Sequence, residues 1–164
     1  NLPYNVGTHL VMQLISRPDL FASVSVMLQK EVVDRMLAEP GTKTYGALSI
    51  QVQTRAEVAF LLSVPPDSFH PPPKVFSSVI RLTPRTEPDA GRAGLTLMDR
   101  VVKASFSQRR KTLANALGAL LGKDLVLQAI RQLGWKENVR GEALRRLQFI
   151  ELTDTLLDLG AFKL

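Results

Sequence analysis

The sequence of 164 residues contains no cysteine, only two histidines and few aromatic residues, 6% of the total. Without cysteine the chain forms no disulfide and no thiolate metal site, and this composition fits a reducing, cytoplasmic compartment. It has no run of about 18 apolar residues, so no membrane-spanning helix is predicted. The carboxylates show no paired or metal-ligand spacing, and we therefore predict that the protein binds no metal.

Positive charge is what the chain has in excess, and it is concentrated towards the C-terminus. The net charge is +6. Residues 1–94 contain 9 Lys and Arg against 8 Asp and Glu, whereas residues 95–164 contain 12 against 7. A basic half-chain fits a polyanionic partner, and it fits a solubilising surface equally well.

Apolar spacing predicts a mixed α/β segment followed by an all-helical one. The predicted elements of the first segment are helices at 8–16, around Glu31 and Arg35, and at 46–54, with strands at 24–28, 58–64 and 75–82. A stretch rich in proline and glycine predicts a linker at 85–94. Apolar stripes within 97–104, 113–121, 125–133 and 148–159 predict four helices, and we interpret these stripes as core.

The first four residues, Asn1-Leu2-Pro3-Tyr4, suit chemistry on an adenine amine, although a proline turn before a helix has the same spacing. That amine is a poor nucleophile because its lone pair is delocalised into the ring. Acceptors for its two N–H groups favour a pyramidal nitrogen. Asn1 offers a side-chain carbonyl, and Pro3 stiffens a loop that can present a backbone carbonyl. An extruded base can stack on the ring of Tyr4.

The segment 69–75, FHPPPKV, places Phe69 just before three consecutive prolines. Three prolines form a stiff, extended stretch without internal hydrogen bonds. Such a stretch is either a surface linker or a shaped loop that holds Phe69 with little freedom. The aromatic residue before the prolines and the predicted strand after them favour the shaped loop.

Three consecutive cations, Arg109, Arg110 and Lys111, follow Ser107, and we predict that Ser107 caps a helix starting there. Cations in a first turn oppose the helix dipole, at roughly 0.3–1 kcal/mol each. A phosphate held by helix N–H groups and these cations would resolve the conflict. The string therefore predicts a contact with a nucleic-acid backbone.

In order along the chain, the strings NLPY, MLQKEV, YGALS, FHPPPKVFSSV and FSQRRKTLANAL resemble the ribosomal RNA adenine dimethyltransferase family, in particular its bacterial small-subunit enzymes. The matches are collinear over 1–118 and jointly specific, and 142–147 resembles the family's helical domain more loosely. The resemblance implies an α/β fold in which 1–84 form the C-terminal half of a Rossmann-like methyltransferase sheet. It also implies that 95–164 form a small all-α RNA-binding domain.

The resemblance further implies roles for four residues at the site. Asn1 falls on the asparagine that contacts the methionine end of the cofactor and the target amine. Pro3 falls on the residue whose carbonyl faces that amine. Tyr4 and Phe69 fall on the two aromatic residues that hold the target adenine. Ser77 matches the family string, but we can assign it no distinct role.

The implied reaction is methyl transfer from S-adenosyl-L-methionine, twice to each of two adjacent adenosines in small-subunit ribosomal RNA. The implied partner is that RNA or a precursor of the ribosomal subunit, with Arg109, Arg110 and Lys111 in a basic string at the start of the RNA-facing domain. The complete protein is expected to be a monomer and to bind no membrane.

The chain departs from the family in one respect. The family's glycine-rich cofactor loop and ribose-binding acidic residue precede NLPY, and no GxGxG-type stretch occurs here. We therefore expect a C-terminal portion that is inactive alone, with an open strand edge at Val24–Leu28. Two other functions stay open, a noncatalytic RNA-binding or ribosome-assembly module and a methyltransferase acting on DNA or a protein amide. Leu2 and the strings FHPPPKV and QRRKT argue against the latter.

Overall fold

The computed structural model describes residues 1–108 and 110–162, and the chain divides into two compact units. The first, which we call the sheet unit, comprises Asn1–Ala38 and Val52–Pro88. The second, the helical unit, comprises Glu39–Gln51 and Asp89–Leu164. The structure thus contains the small sheet and the helices that the sequence predicted.

The helices and strands follow the predicted ones closely. In chain order they are α1 (Gly7–Ile15), β1 (Val24–Gln29), α2 (Lys30–Leu37), α3 (Ala47–Arg55), β2 (Ala56–Val64), β3 (Ser77–Pro84), α4 (Gly94–Phe106), α5 (Leu113–Leu121), α6 (Lys123–Gln132) and α7 (Arg146–Asp158). None of the helices in the part of the chain that the structure describes is long and apolar enough to cross a membrane.

The sheet has the order β1-β3-β2, and β3 is antiparallel to both neighbours. β1 and β2 consequently run in the same direction, so their carboxyl ends lie at the same edge of the sheet. There, Ser77 at the start of β3 is paired with Gln29 on one side and with Val64 on the other. Helices α1 and α2 pack on this sheet and bury residues such as Val11 and Met36.

The two outer strands have different surroundings. β1 lies at one edge, where an open edge was expected, and the backbone N–H of Leu2 donates to the Met27 carbonyl at 3.4 Å. At the other edge, β2 carries the apolar residues Phe60, Leu61 and Leu62, all of which are exposed. β2 is an outer strand, and its register shifts between Phe60 and Leu62.

The helical unit includes 39–51, a segment that the predicted boundary at 84 placed with the sheet. Tyr45 accounts for this placement. Its side chain is 2% exposed, its hydroxyl donates to the Leu144 carbonyl at 2.8 Å, and its ring meets the Phe106 ring edge-on at 6.0 Å between centroids. In the same segment, the N–H of Gly41 donates to the carbonyl of Glu142 at 2.9 Å.

The prediction that Ser107 caps the start of a helix is wrong. Ser107 has helical backbone angles and ends α4, with its hydroxyl donating to the Ala104 carbonyl at 2.7 Å. Thr112 is the residue that caps α5, since its backbone is extended and its hydroxyl oxygen accepts from the Asn115 N–H at 3.4 Å. Arg110 and Lys111 therefore lie in the connection before α5 and not in a first helical turn.

Candidate active site

A cleft of about 330 Å³ lies in the sheet unit, where two segments far apart in sequence meet. Its lining comprises Asn1, Leu2, Pro3, Tyr4, Phe69, Pro71 and Pro73. The first four residues precede α1, and the other three belong to the connection from β2 to β3. The four residues predicted to be catalytic, Asn1, Pro3, Tyr4 and Phe69, therefore all line one cavity.

The carboxyl ends of β1 and β2 place the two lining segments beside each other. The first segment is held against β1 by the hydrogen bond from Leu2 to Met27. The second leaves β2 after Val64 and enters β3 at Ser77, at the same edge of the sheet. Loops at the carboxyl ends of strands are the usual place for ligand sites in open α/β sheets.

The turn after Asn1 is held by the carbonyl of Pro3. This oxygen accepts from the N–H of Gly7 at 2.9 Å and from that of Val6 at 3.2 Å. A carbonyl oxygen has two lone pairs, so both are occupied within the turn. The resemblance assigned this carbonyl to the target amine, but here it accepts the hydrogen bonds of the turn from which α1 begins. In the described part of the chain, the Leu2 carbonyl, one residue earlier, accepts no such hydrogen bond.

Tyr4 is fixed at its polar end. Its side chain is 37% exposed, and its hydroxyl shares a hydrogen bond of 2.7 Å with the hydroxyl of Ser77, which is completely buried. Sequence reasoning assigned no role to Ser77, because the two residues are 73 positions apart and no local pattern pairs them. The only available signal was a small hydroxyl residue at the start of the strand that follows the prolines.

The opposite wall of the cleft comes from the proline-rich connection. A short 3-10 turn at Pro66–Ser68 precedes Phe69, whose N–H donates to the Pro66 carbonyl at 3.2 Å. Phe69 is half-buried and lines the cleft, whereas His70 beside it is exposed. The shaped loop, rather than a free linker, is therefore what the structure shows for this segment.

The basic string belongs to the helical unit. Arg110 and Lys111 are exposed, and the Lys111 N–H donates to the Gln108 carbonyl at 2.9 Å, while Arg109 lies outside the described residues. Within 1–108 and 110–162, neither Arg110 nor Lys111 forms an ion pair. Arg131, by contrast, is paired with Glu137 at 2.8 Å. No group of three or more potential metal ligands occurs in those ranges.

Known proteins share this sequence pattern along nearly the whole chain. A ribosomal RNA adenine dimethylase family profile matches residues 1–158. Two relatives are named ribosomal RNA small subunit methyltransferase A. The one from Lachnoclostridium phytofermentans is 42% identical over 160 residues, 95% of this chain and 55% of the relative. The one from Thiobacillus denitrificans is 44% identical over 154 residues, 93% and 58% respectively.

Two solved structures share the fold. A dimethyladenosine transferase from Plasmodium falciparum superposes with a TM-score of 0.86 and 28% identity, over 98% of this chain and 66% of that one. The 23S rRNA methyltransferase ErmE superposes with a TM-score of 0.64 and 23% identity, over 94% and 62%. Because ErmE is less than a quarter identical, it bears on the fold alone.

The chain spans about half the length of the curated relatives that it matches. The expectation that these 164 residues are inactive alone is not borne out by the comparisons. The strings that line the cleft indicated this family, and three findings support it. These are a family profile over 158 residues, relatives above 40% identity and a shared α/β methyltransferase-like fold. The chain belongs to the ribosomal RNA adenine dimethylase family.

Proposed function

We propose that the protein containing this chain dimethylates the exocyclic amines of two adjacent adenosines in small-subunit ribosomal RNA, with S-adenosyl-L-methionine as the methyl donor. One observation carries the proposal: NLPY and the FHPPP loop, more than 60 positions apart, line a single cleft with two aromatic side chains. On this view 1–84 are the C-terminal half of a Rossmann-like domain and 95–164 an RNA-binding domain.

The cleft suits a base that has left its stack. Tyr4 and Phe69 offer rings from its two lining segments, and base–aromatic stacking stabilises by roughly 1–3 kcal/mol per base. The prolines at 71 and 73 stiffen the wall that carries Phe69. An adenine bound between the rings would expose its exocyclic amine to the polar atoms of the NLPY segment.

The NLPY segment supplies acceptors for the two N–H groups of the amine. Asn1 is exposed at the cleft, so its side-chain carbonyl can accept one of them. Since the Pro3 carbonyl is occupied by Val6 and Gly7, we assign the second acceptor to the carbonyl of Leu2, and to Pro3 the role of holding that backbone rigid. The nitrogen loses its proton readily once it becomes cationic, so no strong general base is needed.

The residues at the cleft fit the acceptor side of such a reaction. S-adenosyl-L-methionine, when bound, supplies an electrophilic methyl group. Asn1 is the residue of this chain that would touch its methionine end, while the other lining residues hold the base.

The cations Arg109, Arg110 and Lys111 are proposed to hold phosphates of the RNA. Arg110 and Lys111 precede the N-terminus of α5, where backbone N–H groups favour an anion. Their exposure and their lack of ion pairs in the described residues leave their charge available to a polyanion.

Methyl transfer to small-subunit ribosomal particles tests the proposal, with dimethyladenosine in the digested RNA as the readout. The full-length protein should form it, and Phe69→Ala should lower the yield strongly. Phe60→Ala removes a phenylalanine that is 53% exposed and outside the cleft, so it should have no effect. Binding of the particles without any transfer would instead support a noncatalytic RNA-binding module.

A further inference from the structure

The hydrogen bond between Tyr4 and Ser77 joins the stacking ring to the middle of the sheet. Tyr4 lies in a short turn before α1, and its ring lines the cleft. Ser77 is the first residue of the central strand and is paired in register with both outer strands. The bond therefore connects a surface side chain to the residue whose backbone is held from both sides.

A tyrosine that only lined the cleft would not need this contact. Its ring can rotate about two side-chain bonds, and stacking a base on it would cost the freedom that it loses. A hydroxyl bound at the far end of the ring removes that freedom before the base arrives. Preorganisation of this kind raises affinity and rate by lowering the cost of ordering on binding.

Ser77 is suited to hold the Tyr4 hydroxyl in one position. Its side chain is 0% exposed, so the serine end of the hydrogen bond is shielded from water, and the 2.7 Å distance is that of a well-formed O–H···O bond.

We infer that Ser77 is a positioning residue for the methyl-transfer reaction, which acts by holding the Tyr4 ring at the angle needed to stack the target adenine. The inference rests on the proposed function, because it assigns Tyr4 to the base. Ser77 itself touches neither the base nor the methyl donor, since it does not line the cleft.

A double-mutant cycle on the full-length protein tests this inference. Ser77→Ala and Tyr4→Phe each remove one half of the same hydrogen bond and keep the ring. Each should lower kcat/KM for methyl transfer by about three- to tenfold. The double variant should be no worse than either single one, because the second change has no bond left to remove. If the loss in the double variant equals the product of the two single losses, Ser77 and Tyr4 act independently. That result would show that Ser77 acts through packing alone and would overturn the inference.

Ser78→Ala is the matched control. Ser78 is the next residue of β3, is 1% exposed and points to the other face of the strand, and it has no bond to Tyr4. Ser78→Ala should leave kcat/KM unchanged. A loss equal to that of Ser77→Ala would mean that any change in this strand impairs the enzyme.

A second readout does not depend on activity. In protein carrying ring-labelled tyrosine, the NMR signals of Tyr4 are assigned by their loss in Tyr4→Phe. Ser77→Ala should shift and narrow those signals as the ring gains freedom, and Ser78→Ala should not. If the parent enzyme is active and the Tyr4 signals are unchanged in Ser77→Ala, the hydrogen bond does not hold the Tyr4 ring and the inference is refuted. If the parent protein transfers no methyl group, the proposed function fails, and the positioning role of Ser77 in that reaction fails with it, even where the NMR signals show the hydrogen bond.

Discussion

The side chain of Asn1 has a test of its own at the scale of single residues. If its carbonyl accepts a hydrogen bond from the target amine, the bond strengthens as the nitrogen becomes pyramidal and positively charged. Asn1→Ala should therefore lower kcat more than it raises KM. We expect a loss on the order of tenfold to a hundredfold in kcat, equivalent to about 1.4–2.8 kcal/mol of transition-state stabilisation.

Asn5→Ala is the matched control for this measurement. Asn5 is the same residue type four positions later, is exposed and does not line the cleft. Steady-state kinetics with ribosomal particles should show no change for Asn5→Ala. A kcat for Asn1→Ala equal to that of the parent would remove Asn1 from the reaction, whatever its effect on KM.

Tyr45 predicts a pH dependence of stability. Burial, with a smaller contribution from the nearby Glu39 carboxylate, raises the pKa of its phenol to about 12 from an ordinary value of 10. The folded protein holds this proton more tightly than the unfolded chain. The resulting stabilisation is full below pH 10 and is lost as pH rises from 10 to 12, by about 3 kcal/mol in all.

Urea unfolding across that range measures the effect. Tyr45→Phe should flatten the alkaline decline, because no phenol is left to ionise. At neutral pH the same variant should lose about 1–3 kcal/mol, since the buried Leu144 carbonyl loses its donor. An equally steep alkaline decline in Tyr45→Phe would assign it to other groups.

At the scale of elements, the sequence predicted helices and strands well and their ends less well. Apolar spacing is repeated along each helix or strand, so several residues support each prediction. A helix end depends on one or two residues. Ser107 and Thr112 are both good N-cap residues, and only the backbone shows that α4 continues to Phe106 and that Thr112 begins α5. The sequence thus placed the cations in a first helical turn, although Arg110 and Lys111 precede α5.

The start of α1 gives a prediction at this scale. A methyl group on Gly7 would lie 2.5 Å from a terminal methyl carbon of Leu28, which is itself buried in the sheet unit. Gly7→Ala should therefore lower the free energy of unfolding by about 1–3 kcal/mol, as overpacking does. It should also lower methyl transfer, because the Gly7 N–H holds the Pro3 carbonyl and a shift of α1 moves the NLPY turn.

Gly46 supplies the comparison for this substitution. A methyl group added there would meet nothing within 4 Å, and its backbone does not require glycine. Urea unfolding should show no loss for Gly46→Ala. Equal stability of Gly7→Ala and Gly46→Ala would mean that Leu28 yields at little cost.

At the scale of the whole molecule, the sequence could not show contacts between distant segments. The strings NLPY and FHPPP predicted the residues of the cleft only because the family resemblance placed both strings at one site. The bond from Tyr4 to Ser77 and the packing of Tyr45 against Phe106 have no local signature. Each contact depends on how the fold brings distant segments together, so neither apolar periodicity nor a helix-capping residue in the sequence could reveal it.

The uneven charge of the chain leads to a prediction about salt. Each phosphate contact releases condensed counterions from the RNA. The slope of the logarithm of the binding constant against the logarithm of salt concentration therefore becomes less steep by roughly 0.7–0.9 for each contact that is lost. Changing Arg110 and Lys111 together to Gln should therefore reduce the slope for RNA binding by about 1.4–1.8. Arg131→Gln is the control, since Arg131 is also exposed but is paired with Glu137, and it should leave the slope nearly unchanged. A double variant that weakens binding with the parent's salt slope would show that these cations support the fold of the helical unit and do not contact phosphate.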